Sequence, residues 1–159
     1  MNIFCKKRRR LSLEKGKINF KCLKEKCPKS CCDSFSGVQN KLFPLYKHGF
    51  SDIALSKENV GYIRRIGKKD RIYLDSKIGL WFVKLNKDKS CPFHIKGSCE
   101  IYKSQPPMCK AYPFYLDHFA GLCIDTSCPG VGKCWTKIKS LKKEINALKE
   151  INDLWIKTL

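Results

Sequence analysis

The stretch CLKEKCPKSCC, residues 22–32, decides how this chain folds, because it places four thiols within eleven residues. Pro28 and Ser30 favour turns. A turn lets neighbouring sulfurs converge on one metal ion, each at the metal–sulfur distance of about 2.3 Å. A second group of cysteines follows downstream. The two groups are Cys22, Cys27, Cys31 and Cys32, and then Cys91, Cys99, Cys109 and Cys128. Thiols in such groups indicate a metal ion or an iron–sulfur cluster that ties several segments together.

The surroundings of the cysteines favour metal over disulfides. The chain has eleven cysteines, an odd number, and its basic start at residues 6–10 is not followed by the apolar segment of a signal peptide. It also lacks the run of eighteen or more apolar residues that a membrane span needs. We therefore expect a cytoplasmic protein with no membrane partner, and in a reducing compartment dense cysteine more often binds metal.

The composition and the changes in sequence pattern along the chain predict one small domain with an appendage at each end. The hydrophobic fraction of 43% in 159 residues is that of a globular chain. We expect a basic arm over residues 1–19, a cysteine-cluster metal-binding domain over 20–134, and an amphipathic helix over 135–159. The predicted fold class is α+β: a cysteine-rich, metal-stapled domain with irregular loops, a short β-hairpin, one internal helix and the C-terminal helix.

Periodicity places the regular elements. Ser56 is a suitable N-cap for a helix whose apolar residues recur at spacings of three, and Gly67 is suited to end it. Residues 72–74 and 79–85 predict two strands of a hairpin. The segment 91–134 is rich in Pro and Gly, so only a short helix near residues 101–102 is expected there. Over residues 136–157, apolar side chains recur at gaps of three and four, which predicts the amphipathic helix.

Six pieces of sequence occur in an order that resembles a known family. They are Phe20-x-Cys22, Cys31-Cys32, Cys91-Pro92-Phe93, Cys99-Glu100-Ile101-Tyr102, Pro106-Pro107-Met108-Cys109-Lys110-Ala111-Tyr112-Pro113-Phe114 and Cys128-Pro129-Gly130-Val131-Gly132. Over residues 20–134 the chain resembles the YkgJ-type cysteine-cluster family, which is described as zinc- or iron-chelating.

The resemblance implies a ligand set. The eight cysteines of the two groups would hold one or two metal ions or iron–sulfur clusters. Three of them precede proline, as does a cluster-ligating cysteine in bacterial ferredoxins, so we prefer an iron–sulfur cluster to zinc. Adjacent cysteines diverge, so Cys31 and Cys32 serve two centres or one of them is a core thiol. Some larger relatives are flagellin lysine methylases that carry an iron–sulfur cluster.

Several other residues lie near the cysteines in the sequence. Cys5, Cys123 and Cys134 lie outside the family pattern, and either of the last two is an alternative ligand. His94 and His118 are more typical of structural or surface residues than of zinc ligands. Gln105 replaces the family's arginine, a loss for which Lys110 partly compensates. Three aromatic residues are predicted to form a packing shell around the site: Tyr102, Tyr112 and Phe114.

Three functions remain open from the sequence. The first is a metal-binding protein whose clustered cysteines hold iron–sulfur clusters or zinc. The second is an iron–sulfur enzyme related to protein lysine methylases. The third is a zinc-stapled module that binds nucleic acid, because the formal charge of +19 attracts polyanions, including acidic proteins. Basic and aromatic residues alternate at Trp81, Phe82 and Lys84, a pattern compatible with such a module and equally with an ordinary strand.

Overall fold

The computed structural model describes residues 8–10, 16–23, 32, 52–117 and 121–156. The chain divides into two compact units. The first contains residues 1–29 and 111–149, and the second contains residues 30–110 and 150–159. The predicted boundaries at 19/20 and 134/135 stay a prediction.

Helices and strands are mixed along the described chain. The strands are β1 (Arg8–Arg10), β2 (Lys17–Phe20), β3 (Ala54–Leu55), β4 (Ile72–Asp75), β5 (Leu80–Val83), β6 (His94–Ile95), β7 (Ser98–Cys99), β8 (Phe114–Asp117), β9 (Gly121–Asp125) and β10 (Val131–Lys137). The α-helices are α1 (Lys57–Arg65), α2 (Pro107–Ala111) and α3 (Lys142–Ile156), and short 3₁₀ helices cover Lys69–Arg71, Tyr102–Ser104 and Ile138–Leu141.

The second unit is built on helix α1 and a three-stranded antiparallel sheet of order β3-β5-β4. Ser56 caps α1 as predicted: its hydroxyl accepts from the Asn59 backbone N–H, and the Asn59 side chain accepts from the Ser56 backbone. Strands β4 and β5 form the predicted hairpin. The apolar faces of helix and sheet meet in one core, whose buried members are Ile53, Leu55, Val60, Ile63, Ile72, Val83, Cys91, Phe93 and Ile101.

The first unit contains two small antiparallel sheets, β1-β9-β8 and β10-β2. Phe20 and Phe114 meet edge to face with their ring centroids 5.1 Å apart. The Lys21 N–H donates to the Gly130 carbonyl at 3.0 Å. The approach is so close that a Cβ on residue 130 would lie 2.3 Å from the Lys21 carbonyl oxygen, so only glycine fits there. The register of β10 against β2 shifts between Val131 and Trp135, a bulge in β10.

The prediction of mixed helix and strand with a C-terminal helix is confirmed, but two expectations about elements are corrected. The C-terminal helix begins at Lys142 rather than near residue 136, because Thr136 and Lys137 pair with Ile18 and Lys17 of β2. Strand β2 itself belongs to the segment predicted to be a basic arm. None of the helices in the described ranges has the length and apolarity that crossing a bilayer would require.

Candidate metal centre

Four of the predicted ligands come together in the second unit. Cys32, Cys99 and Cys109 pack against the same core that contains buried Cys91. The four thiols come from separate segments, since Cys32 precedes the core, Cys91 follows β5, Cys99 ends β7 and Cys109 lies in α2. The Cys91 N–H donates to the Cys32 carbonyl at 3.0 Å, which fixes the backbones of the first two. We call these four residues the core cysteine cluster.

The thiols of the core cysteine cluster influence one another electrically. The hydrogen bond between the thiols of Cys91 and Cys32, together with burial, raises the pKa of Cys91. Burial, followed by the charges that Cys32 and Cys99 would carry as thiolates, raises the pKa of Cys109. Burial is also the largest cause of the raised pKa of Cys99, and Cys32 adds to it. At neutral pH and without metal, the sulfurs of Cys91, Cys99 and Cys109 are therefore protonated thiols.

Two backbone amides already point at sulfur. The Phe93 N–H donates to the Cys91 sulfur, and the Ile101 N–H donates to the Cys99 sulfur. Each bond joins a cysteine to the amide two residues later, and each opposes the rise in the thiol pKa because an N–H donor stabilises a thiolate. Such donors also set the potential of metal–sulfur centres. The two turns are therefore prepared for sulfur that bears negative charge.

The four sulfurs are the kind of donor that a thiophilic ion prefers, but they are not arranged around one point as ligands of a bound ion are. Thiolates select zinc, copper(I) or iron–sulfur clusters. In the part of the chain that the structure describes, however, no three Cys, His, Asp or Glu side chains are disposed to hold one ion. The thiol-to-thiol hydrogen bond of Cys32 and Cys91 belongs to the protonated form, and ligation would replace it.

Of the four remaining predicted ligands, the structure describes Cys22 and Cys128, which both belong to the first unit. Cys22 is exposed, and Cys128 lies two residues before Gly130, which accepts a hydrogen bond from Lys21. The backbone thus brings the segments of Cys22 and Cys128 together in the first unit. Cys27 and Cys31 lie outside the described residues, as do Cys5 and His118.

The cysteines outside the family pattern differ in exposure. Cys123 is buried in β9, and Cys134 is exposed in β10, both in the first unit. His94 pairs with Cys99 across β6 and β7, and its backbone N–H donates to the Cys91 carbonyl at 3.1 Å. The backbone of His94 therefore forms part of the turn that carries Cys91.

The predicted aromatic shell is partly wrong. Tyr102 is 65% exposed, and Phe114 packs on Phe20 in the first unit. The apolar side chains beside the core cysteine cluster are instead Phe93 and Ile101, each two residues after a cysteine of the cluster. Phe93 and Ile101 both belong to the quoted cysteine motifs, so the sequence did contain a signal that they lie beside the cysteines.

Two supporting residues were not found from the sequence. The Arg71 guanidinium donates to the Pro92 carbonyl at 2.8 Å and to the Glu100 carboxylate, so it joins the turn of Cys91 to that of Cys99. The Asn59 amide donates to the Ser104 carbonyl at 2.9 Å, which fixes the segment before α2. Both contacts are far apart in sequence and have no periodic signal.

The cation that was expected to replace the missing arginine has a different partner. The Lys110 ammonium lies 3.7 Å from the Glu150 carboxylate, within the second unit. Arg71, whose guanidinium lies 5.7 Å from the centre of the Phe93 ring, is a cation beside the turn of Cys91.

Comparison of the chain with protein-family models, with curated proteins and with solved structures finds no match. The resemblance to the YkgJ-type cysteine-cluster family therefore rests on the six quoted pieces of sequence and stays a prediction.

Proposed function

We propose that this chain is a metal-binding protein in which Cys32, Cys91, Cys99 and Cys109 hold a metal ion or an iron–sulfur cluster. The observation that carries the proposal is the mutual interaction of four thiols from four segments in one core. Protonated thiols would only fill space in this core, as small aliphatic side chains do, whereas thiolates bound to a cation would tie the four segments together.

The backbone of the two cysteine turns supports the same reading. Amide donors at Phe93 and Ile101 would remain in place when Cys91 and Cys99 lose their protons. A bound ion would supply the positive charge that burial otherwise denies to a thiolate. An iron–sulfur cluster remains our preferred occupant and zinc the alternative, because three of the eight predicted ligands precede proline.

A second centre is part of the proposal. Cys22, Cys27 and Cys128 are its candidate ligands, because the backbone bond from Lys21 to Gly130 draws the first and last of these segments together. The proposal thus divides seven of the eight predicted ligands into the core cysteine cluster and a second set of Cys22, Cys27 and Cys128, and it assigns Cys31 to neither. The enzymatic alternative stays a prediction from the sequence.

The test is metal content measured on single cysteine variants. The chain is purified without oxygen, and iron, sulfide and zinc are measured per chain. The absorption spectrum is recorded as well, because iron–sulfur clusters absorb broadly at about 400 nm. We expect Cys99→Ser and Cys109→Ser each to lower both the metal content and Tm.

The matched control is Cys5→Ser, which removes a thiol that lies outside the family pattern and is not among the candidate ligands. It should leave metal content and Tm at the values of the unaltered chain. Equal metal content in the unaltered chain, Cys99→Ser and Cys109→Ser would contradict the core cysteine cluster as a ligand set. A Cys128→Ser variant that loses about half of its metal and retains the other half would support two separate centres.

A further inference from the structure

A concave surface of the first unit is built differently from the metal site. It has a volume of about 650 Å³, is open to solvent and is lined by Lys21, Cys134, Trp135, Thr136, Lys137, Lys139 and Ser140. We call it the Trp135 groove. Three of the seven lining residues are lysines and none is acidic, so the groove carries a local positive charge.

The bulge in β10 produces an unusual run of exposed residues. A strand with one covered face alternates buried and exposed side chains, yet Gly132, Lys133, Cys134 and Trp135 are all exposed. Gly132 adopts a φ of +80°, a conformation that favours glycine, within the irregular part of the strand. A bulge redirects side chains in this way, and here it leaves an indole 45% exposed.

The groove is held in place by hydrogen bonds from two side-chain hydroxyls and one backbone amide to backbone carbonyls. The Thr136 hydroxyl donates to the Phe20 carbonyl, which ties β10 to β2, and the Ile138 N–H donates to the Gly16 carbonyl at 3.1 Å. The Ser140 hydroxyl donates to the Lys137 carbonyl at 2.6 Å. The exposed indole and the lysines therefore project from a fixed framework.

The partner can be argued from this chemistry. Lysines attract phosphates, and an exposed aromatic ring offers a face on which a nucleobase stacks. Bases are available for stacking in single strands but not inside a duplex. We propose that the Trp135 groove binds single-stranded nucleic acid, with a base on Trp135 and phosphates beside Lys137 and Lys139.

The other aromatic and basic segment does not offer such a site. Phe82 is fully buried in β5, and the guanidinium of Arg64 lies over the Trp81 ring at 4.8 Å from its centre. Residues 81–84 therefore behave as an ordinary strand, and the candidate interface moves to β10.

The experiment measures fluorescence anisotropy of labelled 12-nucleotide oligo(dT) and oligo(U) with the full chain between 50 and 200 mM salt. We expect Trp135→Ala to weaken binding by about tenfold, because stacking on one aromatic ring is lost. Trp135→Phe retains a ring and should stay within about threefold of the unaltered chain. A difference between the two oligonucleotides tells DNA from RNA as the favoured strand, and either supports the proposal.

Charge variants separate the groove from general attraction to a basic protein. The double variant Lys137→Glu with Lys139→Glu should weaken binding and reduce the dependence of log K on log salt by about 1.4, as two phosphate contacts to a single strand would. The control, Lys77→Glu with Lys87→Glu, changes the net charge equally at exposed positions in the second unit. It should leave the affinity within about twofold.

Three results would overturn the inference. The first is equal affinity of Trp135→Ala and the unaltered chain. The second is equal weakening by the two double variants, which would mean diffuse attraction. The third is an equally tight complex with a 12-base-pair duplex. Unchanged circular dichroism and Tm establish that each variant is folded, and because metal content is measured separately, this test is independent of the metal site.

Discussion

Asn59 shows how much one side chain can determine in this molecule. It is 3% exposed, and its two ends have different tasks. The amide oxygen accepts from the Ser56 N–H at 3.0 Å and so begins helix α1. The amide nitrogen donates to the Ser104 carbonyl and hydroxyl, 45 residues away. The start of α1 and the segment that leads to Cys109 are therefore joined through one amide.

Replacing Asn59 by aspartate separates these two tasks. Asn59→Asp retains the oxygen that caps α1 but puts a carboxylate against the Ser104 carbonyl. Because the carboxylate oxygen and the Ser104 carbonyl oxygen are both acceptors and cannot bond to each other, we expect a loss of about 2–3 kcal/mol in the free energy of unfolding. Ser56→Ala, which removes only the cap, should cost about 1 kcal/mol. Denaturant unfolding measures both, and equal losses would contradict the role of the amide nitrogen.

At the scale of elements, Arg71 occupies a position that links two turns. It ends the 3₁₀ helix before β4, and its guanidinium binds the Pro92 carbonyl and the Glu100 carboxylate. Lys68 adds a longer contact to Glu100 at 4.0 Å. A planar guanidinium reaches two acceptors at fixed angles, which an ammonium does not. The spacing of Cys91 and Cys99 therefore depends on Arg71.

Removal of this link should weaken metal binding without removing a ligand. We expect Arg71→Ala to lower the affinity of the core cysteine cluster for metal by about 10–100-fold, the usual effect of losing a group that orients ligands. Arg71→Lys should recover only part of it. Competition with a chromophoric chelator measures the affinity. The matched control is Arg65→Ala, which removes an exposed arginine from α1, and an equal effect of both variants would refute the link.

At the scale of the whole molecule, the elements that could be predicted from the sequence are those that local signals determine. The Ser56 cap, helix α1 and the β4–β5 hairpin arise from residues within a few positions of one another, so periodicity and capping patterns indicate them. The contacts of Arg71 with Pro92 and of Asn59 with Ser104 join distant segments of irregular chain, where no period exists. For the same reason, strand β2 and the late start of α3 escaped prediction: each depends on pairing between residues more than one hundred positions apart.

The same reasoning applies to the candidate site. The eight cysteines were evident as a group, and spacing alone could not divide them between two units. What brings Cys32 to Cys91 is a backbone hydrogen bond between segments of very different sequence position. The motifs Cys91-Pro92-Phe93 and Cys99-Glu100-Ile101 did contain their own amide donors, because each of these bonds spans only two residues.

Metal binding by the whole molecule should depend steeply on pH. The pKa values of Cys91, Cys99 and Cys109 lie above their ordinary value of 9.0, so these thiols keep their protons at neutral pH. Ligation must release those protons, and a rise in pH favours it. We expect log K for Zn²⁺ to increase with pH with a slope of up to about four and to keep rising above pH 9. Chelator competition from pH 7 to 9.5 checks this, and a pH-independent affinity would contradict thiolate ligation.

The separation of the core cysteine cluster along the chain has a consequence for biosynthesis. Cys32 leaves the ribosome 77 positions before Cys109, an interval of about 4–15 s at ordinary elongation rates. During that time the early thiol has no complete set of neighbours, so nascent chains are open to oxidation and to capture of the wrong ion. A centre held by the core cysteine cluster would be complete only after α2 has emerged, which would make its assembly a late step in the synthesis of each chain.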